Sequence, residues 1–316
     1  MKIISPKVEF ITPINGNVIL KRLEQCGRVC YKSEGRIEEG SAETFLKNII
    51  KRGHEAVLEH GTFIFEAPSA VFYETLWRIE DMEKYEGFIS FLRFTSDTKY
   101  IISGNVRAWR DYFKAVLKVF GCLQGAMKQF VKDNPIIFPE FQDVEFLKCD
   151  EWFKPLSVAD LISENEKLTH WDVTVKFTCD RGVSHEIVRH RMASYCQEST
   201  RYCNYSKDDF DGEITVIKPC FFREGTQSYL YWESACKVAE IAYFDLLTYG
   251  CTPQEARSVL PNSLKTEVVM TANIREWRHF LKLRTAPASH PQMREVANML
   301  LDMCKANIPI LFDDIE

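Results

Sequence analysis

At 316 residues, the chain is long for one domain and short for two ordinary ones. Its composition, 46% hydrophobic and 27% charged, is that of a folded protein rather than a disordered one. A net charge of -5 argues against a general nucleic-acid binder, which usually carries a basic excess.

Cysteine usage and the length of the apolar runs bear on where the protein works. The 11 cysteines are odd in number and none lies in a C-x-x-C pair, which fits neither a zinc ribbon nor a disulfide framework. The N-terminal residues hold no apolar segment of signal-peptide length, and no apolar run reaches the ~20 residues that span a bilayer. We therefore expect a reduced, cytoplasmic protein that does not enter a membrane.

The first half of the chain alternates short strands with helices. Its predicted elements are an edge strand over 2–11, helices over 17–30 and 41–50, a strand over 62–66, a helix over 69–78, and a strand followed by a helix over 97–114. His54 and His60 are six residues apart, whereas a zinc-binding H-E-x-x-H helix places its histidines four apart. The spacing favours hydrogen-bonded or solvated histidines, and we predict no metal site.

The second half has a similar alternation with longer elements. Its predicted elements are a half-buried strand over 172–178, a helix from about 183, an amphipathic helix over 227–249, a capped helix starting near 252, a strand over 267–270, a helix capped by Asn273, and a final helix over about 290–306. Between the halves, residues 134–171 contain several prolines and acids. We predict that they form an irregular insertion without a core of its own.

Two predicted helices carry a common pattern, Asn-hydrophobe-Arg-x-Trp-Arg. The pattern begins at Asn105 in the first half and at Asn273 in the second, and it matches Trp109 with Trp277. Each copy follows a predicted strand. The pattern predicts a degenerate internal duplication of two strand–helix–strand–helix halves, although the differing spacings leave chance resemblance as an alternative.

The stretch RHRMASYCQESTRY, residues 189–202, concentrates basic side chains and small hydroxyls in an acidic chain. Such a cluster is typical of a site that holds an anion by directed hydrogen bonds. Arg257 and Arg284 are further candidates from other segments. A single arginine is more often an ordinary surface residue, but Arg189 and Arg191 flank a histidine, and clustered like charges destabilise a fold unless an anion compensates them.

The same stretch offers candidate nucleophiles, which we consider less favoured. Ser199 has no neighbouring base and no G-x-S-x-G elbow, so contact with a substrate is favoured over nucleophilic attack. Cys196, Cys203 and Cys220 are more readily explained by packing than as thiolates. Neither a G-x-G-x-x-G motif nor a P-loop occurs, so no Rossmann or Walker nucleotide site is indicated.

Three segments together resemble the flavin-dependent thymidylate synthases, the ThyX family. Arg-His-Arg, seven residues and then Ser199 are similar to the family signature. GHEAVLEHGTFIF, residues 53–65, is similar to the segment GHE-S/T-P-x-EH-x-x-F-x-F, and residues 255–284 are similar to the segment that contains ARxxLP, NxR and FLxLR. The three segments follow the order of the family and cover about half the chain.

The resemblance implies a single domain over 1–316 of the α+β class, with an antiparallel or mixed sheet, flanking helices, and a family-atypical insertion over about 69–171. It implies a flavin-dependent thymidylate synthase that converts dUMP to dTMP with FAD as cofactor and with NADPH and 5,10-methylenetetrahydrofolate as co-substrates. The family forms homotetramers whose active sites combine chains. No nucleic-acid partner, membrane or metal is implied.

Site residues are also carried over by the resemblance. The implied FAD contacts are His54, Arg189, His190, Arg191, Gln197, Asn273, Arg275 and His279. The implied dUMP contacts are Glu186, Arg189, Gln197, Glu198, Ser199, Thr200, Arg201, Arg257 and Arg284. Among these, Arg284 is the catalytic candidate, because an arginine at the pyrimidine edge stabilises negative charge as the ring reacts.

Some positions depart from the family pattern. Glu186 stands where the family often has Gln, and an acid near an anionic substrate is unexpected unless it pairs with an arginine. Ala56 and Val57 replace Ser/Thr-Pro, and Cys30 stands where some members have Ser. Two alternatives remain at this point: a non-catalytic nucleotide- or RNA-binding protein that uses the basic cluster 189–201, and a paralogue that has kept the fold and lost catalysis.

Overall fold

A computed structural model describes residues 1–11, 19–82, 91–201, 203–206 and 212–316. Three predicted features therefore lie partly outside the described residues: the helix over 17–30, the insertion over about 69–171, and the signature, which includes Tyr202.

The described chain contains the following helices, with their bounds: α1 (Ile19–Tyr31), α2 (Ser41–Lys51), α3 (Ser69–Met82), α4 (Val106–Phe120), α5 (Lys128–Asp133), α6 (Glu164–His170), α7 (Arg181–Ile187), α8 (Gln227–Thr248), α9 (Pro253–Ala256), α10 (Ile274–Arg284) and α11 (Pro291–Asn307). Within these described residues, no helix combines the length and the apolar character that crossing a membrane requires.

The strands are β1 (Lys2–Ile4), β2 (Lys7–Phe10), β3 (Thr62–Glu66), β4 (Arg93–Thr95), β5 (Ile101–Asn105), β6 (Lys154–Leu156), β7 (Asp172–Asp180), β8 (Ser194–Gln197), β9 (Thr215–Ile217) and β10 (Lys265–Asn273). They form two four-stranded antiparallel sheets, ordered β4-β5-β3-β6 and β2-β7-β10-β8, while β1 pairs in parallel with β9. The predicted α+β class with an antiparallel or mixed sheet is confirmed.

The two four-stranded sheets repeat one plan, and we call the units around them the first and second repeat. In the first repeat, Thr62 at the start of β3 pairs with Asn105 at the end of β5. In the second, Asp172 at the start of β7 pairs with Asn273 at the end of β10. Each asparagine then caps a helix, because its side chain accepts a hydrogen bond from a backbone N–H of the first turn.

Two buried histidines join the repeats reciprocally. His60, two residues before β3, lies 2.7 Å from the hydroxyl of Thr271, two residues before Asn273 in the second repeat. His170, two residues before β7, lies 2.7 Å from the hydroxyl of Ser103, two residues before Asn105 in the first repeat. This exchange is the relation expected of two equivalent units about an approximate two-fold axis.

The helices after the paired strands repeat their contacts as well. Trp109 and Trp277 are both fully buried. Arg110 donates to the Ile137 carbonyl and pairs with Glu140, three residues later. In the second repeat, Arg278 donates to the Leu311 carbonyl and pairs with Asp314, again three residues later. These matched contacts confirm the predicted degenerate internal duplication.

The segment predicted to be an irregular insertion belongs to the first repeat. Its apolar side chains enter the same core as α4, and they include Ile137, Phe138, Phe141 and Phe153. β6 pairs with β3, and α6 is capped by Ser163. The prediction of irregular structure over 134–171 is therefore wrong for β6 and α6, because polar and proline-rich composition concealed elements that pack against the first sheet.

β7 was expected to bury one face, and it buries both. Val173, Val175 and Phe177 face the second core, as the alternation predicts. The opposite face is covered too, since the Thr174 hydroxyl lies 2.8 Å from that of Thr271, which in turn contacts His60 of the first repeat. The first repeat packs against this second face of β7. Alternation along one strand does not reveal such packing.

Candidate functional site

The signature occupies a turn between a short helix and a sheet edge. α7 runs from Arg181 to Ile187 and is capped by Asp180, whose side chain accepts a hydrogen bond from the Val183 N–H at 2.8 Å. The basic residues therefore follow the helix, and β8 resumes at Ser194. Tyr195 closes the turn, because its hydroxyl donates to the Ile187 carbonyl at 3.2 Å and to the His190 carbonyl.

Arg189 and Arg191 are exposed on this turn. Within the part of the chain that the structure describes, neither has a carboxylate partner. Two neighbouring guanidinium groups that lack counter-charges attract an anion, and each offers a planar set of N–H donors.

Arg284 reaches the turn from the end of α10. Its Nη2 donates to the Glu186 carbonyl at 2.8 Å, and its Nη1 lies 3.3 Å from Glu186 Oε2. The unexpected acid at position 186 thus pairs with an arginine. Two bonds to one residue restrict the guanidinium to one orientation beside the signature.

His190 is largely buried between the turn and α10. Its Nε2 lies 3.1 Å from Glu276 Oε2, and its ring meets those of His279 and Phe280 edge-on at 5.5 and 5.7 Å. Burial lowers the pKa of His190 below its ordinary value, and Glu276 only partly opposes this effect. A neutral imidazole follows, with its Nε2 held beside Glu276.

The second part of the signature is held along β8 and just beyond it. Gln197 donates to the hydroxyls of Ser184 at 3.0 Å and Thr266 at 3.2 Å. Arg257, after α9, donates to the Thr200 hydroxyl at 3.3 Å. The exposed Arg201 follows directly, and its backbone N–H donates to the Ser199 hydroxyl at 3.3 Å.

Ser199 and His54 are linked through the end of α1. The Ser199 N–H donates to the Cys30 carbonyl at 3.3 Å. The next residue, Tyr31, hydrogen-bonds His54 Nδ1 at 2.6 Å. His54 is exposed on the first repeat, so this link brings the G-H-E segment toward the signature.

Asn273 and Arg275 contact α6 rather than the signature. The Asn273 amide donates to the Thr169 carbonyl at 3.2 Å. Arg275 donates to Asn165 at 2.8 Å and to the Thr169 hydroxyl at 3.1 Å. Asn273 nevertheless shares a pocket with the turn.

That pocket, of about 100 Å³, lies where the repeats meet. Its lining residues come from both repeats: Glu59, Phe91, Arg93, Asn105, Asp172, Met192, Ala193, Ser194, Thr271, Ala272, Asn273 and Glu276. Asp172 and Arg93 form a two-pronged ion pair at 2.6 and 2.7 Å on its wall. Small-molecule sites usually enclose ~300–1,000 Å³, so a pocket of this size fits one ring rather than a whole dinucleotide.

Several charged residues beside the signature escaped sequence reasoning. Lys265 Nζ lies 2.7 Å from Glu198 and 2.8 Å from Glu267, and Lys32 reaches Glu267 at 3.1 Å. One signal was available, since Lys265 and Glu267 point to the same face of a strand that has no other charged residue. Charges placed so on a buried strand need partners.

Comparison with known proteins places this chain in a family. The family described as "Thymidylate synthase complementing protein" matches residues 19–80 and 163–310. The fold and site therefore define a duplicated α+β protein with a basic turn. The chain belongs to the thymidylate synthase complementing protein family, and residues 81–162 lie outside the match.

Named relatives agree with this assignment. The flavin-dependent thymidylate synthase of Thermococcus kodakarensis is 35% identical over 129 residues, which are 41% of this chain and 52% of that protein. That of Geobacter sulfurreducens is 33% identical over 175 residues, which are 52% of this chain and 74% of that protein. The chain spans about half the length of the first of these relatives. The predicted resemblance to this family is confirmed.

Two solved structures are similar at lower levels. A Helicobacter pylori ThyX complexed with FAD and dUMP is 21% identical, with a TM-score of 0.38, over 50% of this chain and 79% of that one. A UMP/dUMP methylase, PolB, from Streptomyces cacaoi bound with 5-Br dUMP is 16% identical, with a TM-score of 0.42, over 99% and 96% of the two chains.

Proposed function

We propose that this protein is a flavin-dependent thymidylate synthase, which converts dUMP to dTMP. The observation that carries the proposal is that later segments converge on the signature turn. Four contacts join them: Arg284 to Glu186, Glu276 to His190, Arg257 to Thr200, and Lys265 to Glu198. Two segments of the resemblance, the signature and residues 255–284, are thus spatial neighbours.

FAD fits the side chains of this turn. The uncompensated Arg189 and Arg191 suit a pyrophosphate, which takes two-pronged bonds from guanidinium groups. The adjoining pocket has room for one ring, and its amide and carboxylate lining suits a nitrogen heterocycle. When bound, the flavin supplies the hydride chemistry. Asn273, Arg275, His54 and His279 remain flavin contacts by resemblance.

dUMP is proposed to lie against the second part of the signature. Ser199, Thr200, Arg201 and Arg257 offer hydroxyl and guanidinium donors for its phosphate, and each charge-assisted bond is worth about 1.5–3 kcal/mol. Gln197 is proposed to lie between the two ligands.

Arg284 is proposed to stabilise negative charge on the pyrimidine as its carbon 5 reacts. A donor fixed before the reaction costs no reorganisation, and Glu186 fixes this one through two bonds. The site then needs no enzyme nucleophile. Burial also raises the pKa of the Cys203 thiol to about 12, which argues against a thiolate there.

Further parts of the proposal rest on the resemblance. They are NADPH as reductant, 5,10-methylenetetrahydrofolate as carbon donor, a homotetramer with shared active sites, a single domain over 1–316 with an insertion, and action in the cytoplasm without nucleic acid, membrane or metal.

Flavin binding is the first test. We expect the purified protein to be yellow, or to quench FAD fluorescence when titrated, with one FAD per chain at saturation. Arg189→Ala/Arg191→Ala should weaken FAD binding at least ~10-fold, because two charge-assisted bonds are lost. A colourless protein that does not quench added FAD would refute the proposal and would favour a non-catalytic nucleotide-binding protein.

A further inference from the structure

Five charged side chains form a continuous ion-pair chain beside the signature: Glu34, Lys32, Glu267, Lys265 and Glu198. Successive distances are 3.2, 3.1, 2.8 and 2.7 Å. It links the residues after α1, the strand β10 and the end of β8. Of these five residues, only Glu198 is among the site residues that the resemblance implies.

The signature end of the ion-pair chain is buried. The Glu198 side chain is 2% exposed and that of Lys265 is 13% exposed. A buried charge is tolerated only when it is paired, and removing one partner leaves the other uncompensated. Exposed pairs, by contrast, contribute little. Lys265 is therefore the counter-charge on which the position of Glu198 depends.

The position of Glu198 affects the positions of the proposed nucleotide contacts. Its N–H donates to the Glu267 carbonyl at 2.9 Å, and Ser199, Thr200 and Arg201 follow immediately. Lys32 has a φ of 48°, which non-glycine residues rarely adopt. This conformation belongs to the end of α1, where the Ser33 N–H donates to the Arg28 carbonyl at 3.1 Å, and from there Lys32 reaches both Glu34 and Glu267.

We propose that Lys265 is a positioning residue for nucleotide binding: its ammonium group holds Glu198, and through it the turn of Ser199–Arg201, in the conformation that receives the phosphate. This inference rests on the proposed function for the identity of the nucleotide. The contacts of Lys265 with Glu198 and Glu267 do not depend on it.

The charge on Glu198 depends on its neighbours. The charged and titratable groups around Glu198 are Lys265, Lys32, Glu267, Cys203 and Tyr205. Burial raises the pKa of Glu198, and Lys265 opposes that rise more than any other neighbour. Without Lys265 the pKa of Glu198 rises further, so the native position of this side chain favours its protonated form more strongly.

The sign of the pH effect follows. A carboxyl group whose folded pKa lies above its unfolded value favours the folded state at low pH, and this advantage is lost as pH rises through the folded pKa. Lys265→Met should therefore lose stability and dUMP affinity as pH rises from 5.5 to 8. The slope for one proton cannot exceed about tenfold in either equilibrium constant per pH unit.

The experiment compares Lys265→Met, Lys265→Arg and the double variant Lys265→Met/Glu198→Gln with the FAD-loaded wild type. Lys237→Met is the matched control, because this lysine forms an exposed pair with Glu233 at 2.8 Å on α8. Thermal unfolding without nucleotide and calorimetric titration with dUMP are measured at pH 5.5 and 8, together with kcat and KM for dUMP.

We expect Lys265→Met to raise the Kd for dUMP about tenfold or more at pH 8, and much less at pH 5.5. KM should rise with Kd while kcat changes little, because the reacting end of the site is untouched. Lys265→Arg should restore most of the affinity. The double variant should lack the additional pH dependence of Lys265→Met and bind better than it at pH 8, since its uncharged amide needs no counter-charge.

A loss that is equal at both pH values, or a double variant no better than Lys265→Met, would overturn the inference. The inference would also be overturned if the unfolding of Lys265→Met kept the pH dependence of the wild type while the variant still bound dUMP. In that case the proposed function would stand. A wild type that binds FAD but no dUMP would instead overturn both the proposed substrate and this role of Lys265.

Discussion

The ion pairs of Asp172 and Asp314 have similar geometry and can be compared directly for their contributions to stability. Both carboxylates receive two bonds from a guanidinium group: Asp172 from Arg93 at 2.6 and 2.7 Å, and Asp314 from Arg278 at 2.6 and 2.6 Å. The pairs differ in burial, since the Asp172 side chain is 9% exposed and that of Asp314 is 54% exposed. The substitution in each case is Asp→Asn.

The difference in burial sets the expected magnitudes. Breaking a buried pair costs about 3–5 kcal/mol of unfolding free energy. Arg93 keeps a bond to the Thr169 carbonyl at 2.8 Å, so we expect the lower end, about 3 kcal/mol, for Asp172→Asn. An exposed pair is worth about 0–1 kcal/mol, so Asp314→Asn should cost no more than that. At about 2–4 °C per kcal/mol, Tm should fall by about 6–12 °C in the first variant and by less than about 4 °C in the second.

The pH dependence offers a second readout of the same pair. Burial acts to raise the pKa of Asp172, but Arg93 and Thr62 outweigh it and hold the pKa below its ordinary value. The stabilisation is therefore full above the unfolded pKa of about 3.9 and is lost as pH falls through the lower folded value. The gap between wild type and Asp172→Asn should thus shrink only below about pH 4.

Urea and thermal unfolding of the two variants and the wild type, measured side by side without ligands, provide the assay. Equal losses in the two variants, within about 0.5 kcal/mol, would refute the reasoning that burial of the repeat-joining pair decides its contribution.

Three further predictions concern the site and the repeat interface. Arg284→Ala should lower dTMP formation by about 10²–10³-fold or more while FAD stays bound, and loss of flavin absorbance would contradict its role. Ser199→Ala should raise the Kd for dUMP about 10–150-fold in a calorimetric titration, with the loop variant Ser206→Ala unchanged, and an unaltered affinity would exclude Ser199 as a contact. Burial lowers the pKa of His60 to about 4 and of His170 to about 3. Because the unfolded pKa is about 6.5, the stabilisation from each histidine is present above that pH and is lost as pH falls. Each histidine should therefore lower the unfolding free energy by about 2 kcal/mol between pH 6.5 and 5. Urea unfolding of a His60→Gln/His170→Gln variant should be flatter over that range, and an unchanged slope would show that these histidines do not titrate on unfolding.

The duplication could be predicted from the sequence because its helix-start pattern is local. Asn105 and Asn273 cap helices, and each tryptophan four residues later turns into a core, so the same short pattern was needed twice. The reciprocal contacts of His60 and His170 were not predictable. They join residues 211 and 67 positions apart, and only the packed repeats bring them together.

The candidate site was likewise predictable from the sequence only in part. Motif spacing selected the signature and Arg284, and an acid at position 186 already required an arginine partner. Which arginine it would be depended on the packing of α10 against the turn. Lys265 and Lys32 are not among the site residues that the resemblance implies, and their partners lie 67 and 235 residues away in the chain. Sequence alternation showed only that such charges need partners.

The measurement that tests the central claim most directly is release of the carbon 5 hydrogen of dUMP. FAD-loaded protein is incubated with dUMP labelled at carbon 5, 5,10-methylenetetrahydrofolate and NADPH, and label in water is counted beside dTMP. We predict that label release and dTMP formation are equal, that each co-substrate is required, and that Arg284→Ala lowers both by about 10²–10³-fold or more. Bound FAD and dUMP without label release and without dTMP would contradict the proposed activity.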